Sequence, residues 1–153
     1  SSDDAFPIGR GYYMKAGFLK QFDGSVIDTA VGIVNEATVP RSACLFPHAG
    51  GAISRIKPDA TAFLHRKVTY GVALFSFWDS PQDRDPSMQW ARGAWPKLEP
   101  LTEGFYVNEL SADDPERRIK ANYGSNYDRL VKLKNKYDPK NLFHMNANVK
   151  PSA

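Results

Sequence analysis

The chain has 153 residues, 42% of them apolar and 24% charged, and its 20 basic and 17 acidic side chains leave a net charge of +3. That length suits one domain, the composition is too apolar for disorder, and the charge excess is too small to mark a nucleic-acid surface, so no nucleic-acid partner is expected. One cysteine, Cys44, excludes an internal disulfide or a Cys-pair metal site, and His48, His65 and His144 lack ligand spacing, so no metal is expected.

The acidic opening Ser1-Ser2-Asp3-Asp4 does not read as a signal peptide, and no apolar run approaches the roughly 20 residues that cross a bilayer. A soluble chain without a membrane partner is the expectation. Residues 11–19 are aromatic and strand-like, and Asp23-Gly24-Ser25 offers helix-start chemistry. Ile27, Val31 and Val34 then recur at helical spacing, with Val26, Ala30 and Ile33 beside them, which predicts an amphipathic helix over 25–36 that Pro40 cannot extend.

Residues 42–46 read as a short strand, His48-Ala49-Gly50-Gly51 as a turn, and 52–56 as a second short strand. Residues 68–78 form the clearest strand, β-branched and aromatic and apolar almost throughout from 72, so buried on both faces; Asp79-Ser80-Pro81 stops it. Asp85-Pro86 predicts a helix start, and Met88, Ala91, Trp95 and Leu98 form its stripe until Pro96 ends or kinks it.

Residues 105–107 look like another short strand, and Asp114-Pro115 begins a third helix. Asn126 caps a fourth, with Leu130, Leu133 and Tyr137 facing inward and Asp138-Pro139 ending it. The basic cluster Arg129, Lys132, Lys134, Lys136 and Lys140, offset by Asp128 and Asp138, reads as its solvated face. The pattern predicts an α+β fold, an antiparallel β-sheet flanked by α-helices with further helices at the C-terminus. It carries no βαβ alternation and no glycine-rich phosphate loop.

The C-terminal run carries a family signature. Tyr123-Gly124, Asn126-Tyr127, Arg129-Leu130, Lys136-Tyr137-Asp138-Pro139 and Asn141-Leu142-Phe143 follow one another without a gap, and Asn146-Ala147-Asn148-Val149-Lys150-Pro151 closes the chain. This stretch resembles the berberine and berberine-like tail of FAD-linked oxidases. Upstream, Tyr12-Tyr13-Met14-Lys15-Ala16-Gly17-Phe18-Leu19 is similar to a family strand, with Ala16 in place of the usual serine. His48-Ala49-Gly50-Gly51-Ala52-Ile53 resembles its Gly-Gly turn, Ala62-Phe63-Leu64-His65-Arg66 its Phe-Pro-His-Arg element with Leu64 for proline, and Tyr106-Val107-Asn108 its Tyr-x-Asn element.

The resemblance implies that residues 1–110 are the C-terminal half of a substrate-binding domain and 111–153 the berberine-like C-terminal segment. It implies an FAD-dependent oxidoreductase acting on a small-molecule alcohol, sugar or polyketide-like substrate, with this portion roofing the flavin. FAD would belong to the complete enzyme and is not expected on this chain alone. The chain shows no counterpart of the FAD-binding domain, so a separate FAD-binding domain or subunit is the implied partner. The isolated chain is expected to form a homo-oligomer through residues 68–78 or the segment near Tyr106. The alternative is a stand-alone, non-catalytic binding or interaction domain derived from that fold.

Site residues follow from the same resemblance. Tyr106 and Asn108, two apart, should share one strand face that in the family looks toward flavin and substrate. Tyr106 is the catalytic candidate, as a phenol able to act as a base, and Asn108 a cofactor-binding amide; the alternative is a buried Tyr-Asn pair that satisfies its own polar atoms. His48 and Arg55 flank the Gly-Gly turn and are substrate-binding candidates. Arg55 stands where plant members often carry a base, and an arginine cannot serve as one. Phe75 and Phe77 share a strand face as pocket lining or core, Asn146 and Asn148 are candidates for the flavin region, and His65 and Arg66 read as loop anchors.

Overall fold

The sheet is built around two long strands, β1 (Gly11–Leu19) and β3 (Gly71–Trp78), which pair antiparallel from Gly11 opposite Trp78 to Phe18 opposite Gly71. Strand β2 (Arg41–Leu45) lies outside β3, and the three-residue β4 (Thr102–Gly104) outside β1, giving the all-antiparallel order β2-β3-β1-β4. This computed structural model describes residues 9–109, 116–145 and 147–152. The expected α+β class, an antiparallel sheet with helices, is what it shows.

Helix α1 (Gly24–Asn35) starts as the sequence suggests, with the Asp23 carboxylate accepting from the Ser25 and Val26 amides. The stripe it buries is Val26, Ala30 and Ile33, while Ile27 and Val31 face solvent. Both triplets have helical spacing one residue apart, so periodicity left the choice to whichever stripe meets the sheet. Helix α2 (Arg84–Ala94) emerges from a 3₁₀ turn at Pro81–Asp83, so the Asp85 cap is not used and Pro86 falls within the first turn, where its missing amide costs nothing. Pro96 acts as expected: α2 ends at Ala94 and a 3₁₀ turn follows at Trp95–Lys97.

Both helices pack on one face of the sheet. Leu19, Val72 and Leu74 from β1 and β3 meet Val26 and Ile33 of α1 and Trp95 and Leu98 beyond α2. The Ser76 hydroxyl donates to the Ser87 carbonyl at 2.9 Å, a buried polar link from β3 to α2. Gly71 to Leu74, Ser76 and Phe77 are all buried, as the apolar run predicted, although the strand begins at Gly71 rather than 68.

Four further expectations change. Residues 52–56 are not a strand: Ile53–Arg55 is a 3₁₀ turn, which places Ile53 and Ile56 above one another, and the Arg55 amide bonds back to Ala52 at 3.3 Å. Residues 105–107 are not a strand either. The pairing with β1 falls three residues earlier, Phe105 turns into the core, and Val107–Glu109 coils into a 3₁₀ turn closed by Glu109 N–H to Tyr106 O at 2.9 Å. Helices α3 (Glu116–Tyr123) and α4 (Tyr127–Tyr137) stand at the C-terminus, but Leu133 and Tyr137 are exposed rather than inward. No described element covers that side of α4. Asn126 caps nothing; its amide donates instead to the Pro58 and Thr61 carbonyls and ties down the loop before β3. The Asp114-Pro115 start of α3 lies outside the described residues.

Candidate functional site

Where β1 ends and β3 begins, the face away from α1 and α2 carries Phe18 opposite Gly71. Gly71 has no side chain to fill the floor, and a cavity of about 420 Å³ opens there. Its walls are Phe18, Ile53 of the Gly-Gly turn, Phe63, Arg66, Tyr106 and Glu109. Phe63 is the keystone. Its ring stands edge-on to Phe18 at 5.8 Å and to Tyr106 at 6.2 Å, and the Arg66 guanidinium lies 4.9 Å from its centroid. Arg66 also donates from Nε to the Phe63 carbonyl at 3.1 Å and from a terminal nitrogen to the Thr61 hydroxyl at 2.5 Å, so the charged head is fixed at the wall.

His65 supports this wall from behind. Its ring packs on Phe18 at 4.9 Å, and Nε2 lies 3.2 Å from the Asn122 carbonyl of α3; a carbonyl only accepts, so Nε2 carries the proton. Gly104 lies under that ring, and a Cβ there would meet His65 Cε1 at 2.2 Å.

Tyr106 stands at the mouth, partly exposed, and its Oη accepts from Asn108 Nδ2 at 2.9 Å. The phenol proton is therefore left to donate elsewhere. Glu109 is three residues on, and in a 3₁₀ turn positions i and i+3 share a side, which brings it to the same cavity. Burial in apolar surroundings raises its carboxyl above the ordinary glutamate value of 4.5, and no described donor bonds it.

The other candidates lie elsewhere. His48 flanks the cavity, bridging to Tyr70 and packing on its ring at 5.0 Å, while its neighbours Pro47 and Ala49 do the lining. Arg55 is exposed on its 3₁₀ turn and off the lining. Phe75 and Phe77 stack at 5.6 Å and 4°, with Tyr12 beside them, further along the same sheet face; Phe77 borders a separate hollow of about 470 Å³ near Arg41. Asn148 sits half-buried in the tail, away from the cavity, and Asn146 lies outside the described residues. The structure thus joins Tyr106 and Asn108, leaves the other candidates apart, and adds Glu109, Arg66, Phe63 and Phe18. A period-two strand reading puts residue 109 opposite 106, which is why Glu109 escaped notice. Among the described residues, no group of three or more His, Cys, Asp or Glu is placed to hold a metal ion, and no helix is long and apolar enough to cross a membrane.

Residues 105–150 match the family described as berberine and berberine like. The chain is similar to an FAD-linked oxidoreductase of Dictyostelium discoideum, 32% identical over 151 residues that cover 97% of this chain and 33% of that protein. It is 30% identical to berberine bridge enzyme-like C-1 of Nicotiana tabacum, over 94% of this chain and 30% of that protein. The solved structure of berberine bridge enzyme from Eschscholzia californica shares the fold, with a TM-score of 0.83 over 94% of this chain and 34% of that one at 21% identity. The chain spans about a third of the length of these relatives. The chain is thus similar to FAD-linked oxidoreductases over about a third of their length. Within them it corresponds to the C-terminal part of the berberine-bridge type.

Proposed function

We propose that this chain forms the substrate-facing C-terminal portion of an FAD-dependent oxidoreductase. Residues 1–110 would be the later half of its substrate domain and 111–153 its terminal berberine-like segment. The substrate is a small-molecule alcohol, sugar or polyketide-like compound that enters the cavity beside Tyr106. The observation that carries this reading is the cavity itself: apolar, ring-sized, and bordered by a phenol whose oxygen is already oriented by Asn108.

Among the described residues, this chain suits one end of FAD. A flat ring system suits the cavity mouth, where Tyr106 and Asn108 supply polar atoms beside aromatic walls. A pyrophosphate needs free backbone amides, and those of α1 are taken by the Asp23 carboxylate, while α2 and α4 continue directly from 3₁₀ turns. The phosphates would therefore be held by an FAD-binding domain or subunit. Bound FAD supplies the two-electron oxidation. This chain's part is to exclude water with Phe18 and Phe63, seat the substrate, and present the Tyr106 phenol to the oxygen where charge develops.

In the complete enzyme, Tyr106→Phe should lower turnover by roughly 10²–10³ with little change in flavin content, the scale of one lost donor at a developing oxyanion. Turnover equal to wild type across a panel of sugars, primary alcohols and phenolic polyketides would demote Tyr106 to a structural residue.

A further inference from the structure

Oxidising an alcohol carbon to a carbonyl removes two electrons and two hydrogens. One hydrogen leaves carbon as hydride, and the other leaves oxygen as a proton that needs an acceptor. The Tyr106 oxygen takes the Asn108 N–H bond at 2.9 Å and keeps a proton to give, so the phenol can serve as the donor to the substrate oxygen and leave the acceptor's role to a second group.

We infer that Glu109, across the same cavity wall from Tyr106, is the catalytic proton acceptor and the group that selects a hydroxyl-bearing substrate. This rests on the proposed function and goes beyond it by dividing the work between two residues. The substrate hydroxyl accepts from the Tyr106 phenol and donates to the Glu109 carboxylate. As the C–H bond breaks, the O–H electron pair would form the second C–O bond and the proton would stay on Glu109. The hydride carries away both electrons, for which FAD would be the acceptor in the complete enzyme, so one hydride and one proton balance the oxidation.

Three observations support the division. The 3₁₀ turn puts residues 106 and 109 on one side, and both border the cavity. The Glu109 carboxyl is half-buried at the cavity, and no described donor bonds it. Arg66, the cation of the wall, is engaged by Phe63 and Thr61 rather than by Glu109. Among the described residues, the other charged or titratable groups around the cavity are Tyr106 itself, His65, whose ring packs behind Phe18 and Phe63, and His48 at neighbouring Tyr70.

The test uses the complete FAD-loaded enzyme with Glu109→Gln, Glu109→Asp and Tyr106→Phe. Glu109→Gln should slow substrate-driven flavin reduction by roughly 10²–10⁴ and remove the acid limb of its pH profile, while Glu109→Asp restores part of both. A binding readout stands apart from turnover: by ligand-observed NMR, wild type should prefer benzyl alcohol to toluene, and Glu109→Gln should lose that preference. Flavin reduction within threefold of wild type for Glu109→Gln, with Tyr106→Phe slow, sinks the assignment of Glu109 and leaves the proposed function standing. Both variants at full speed in an active oxidase would move the substrate away from this cavity and sink both. A Glu109→Gln enzyme that stays slow but keeps its preference for benzyl alcohol refutes the hydroxyl contact.

Discussion

Asp138 closes α4 and opens the tail with a single carboxylate. It accepts from Lys134 Nζ, from the Leu142 amide at 2.7 Å and from the Phe143 amide at 3.0 Å. The Lys134 contact leads in holding its carboxyl below the ordinary value of 3.8. A folded pKa below the unfolded one means stability that is fully present above pH 3.8 and is lost as pH falls from there through the folded value. Asp138→Asn should therefore lower the melting temperature at neutral pH and converge on wild type in strong acid, followed by circular dichroism. An equal loss at both pH values would assign the effect to packing instead of charge. Cys44 shows the opposite sign: partial burial against the core pushes its thiol up to about 11, which leaves little thiolate at neutral pH. At this scale the sequence was readable where one residue carries one local role, as with the Asp23 cap. Glu109 was hidden because its neighbours set its direction.

Elements were legible in proportion to how far local chemistry decides them. The Asp23 cap of α1, the prolines around α2 and the apolar run of β3 are local, and they sit within a few residues of expectation. Strand β4 is not local. Thr102-Glu103-Gly104 carries no strand signal, and it pairs only because the edge of β1 at Phe18 and Leu19 is there to be paired. Gly104 then becomes necessary for a reason remote in sequence, the His65 ring that lies over it. That ring cannot swing aside freely, since Phe18 and the Asn122 carbonyl hold it. Gly104→Ala should cost about 1–3 kcal/mol by overpacking. Thermal unfolding of Gly104→Ala, His65→Ala and the double variant checks this, because the two losses should fall short of additive when the clash is the cause. Strict additivity would mean that Gly104 is needed for its backbone and not for the space above it.

On the scale of the molecule, one side of the sheet is closed by α1 and α2, and two surfaces remain open among the described residues. Strand β3 is central, with β2 and β1 on either side, so it offers no edge for the association expected of residues 68–78. The long free edge belongs to β2, whose outer backbone groups face no described strand. The second surface gathers around the end of α4, where Leu133, Tyr137, Leu142, Phe143 and Met145 are exposed, Phe143 at 83%. The tail is not loose there: Lys134 holds the Phe143 carbonyl at 2.6 Å, and Asn135 clasps Ser152 through 2.6 Å and 2.9 Å bonds. Large apolar side chains displayed on an anchored frame favour association, as does an unpaired strand edge. These 153 residues on their own should therefore self-associate at low micromolar concentration, read by sedimentation velocity. Phe143→Ser with Tyr137→Ser should shift the boundary toward monomer, whereas Ser42→Pro would do so if the β2 edge carries the contact, since proline removes an edge donor. A strictly monomeric parent chain would mean that these surfaces are self-sufficient, and would favour a stand-alone binding domain over a portion of an oxidoreductase.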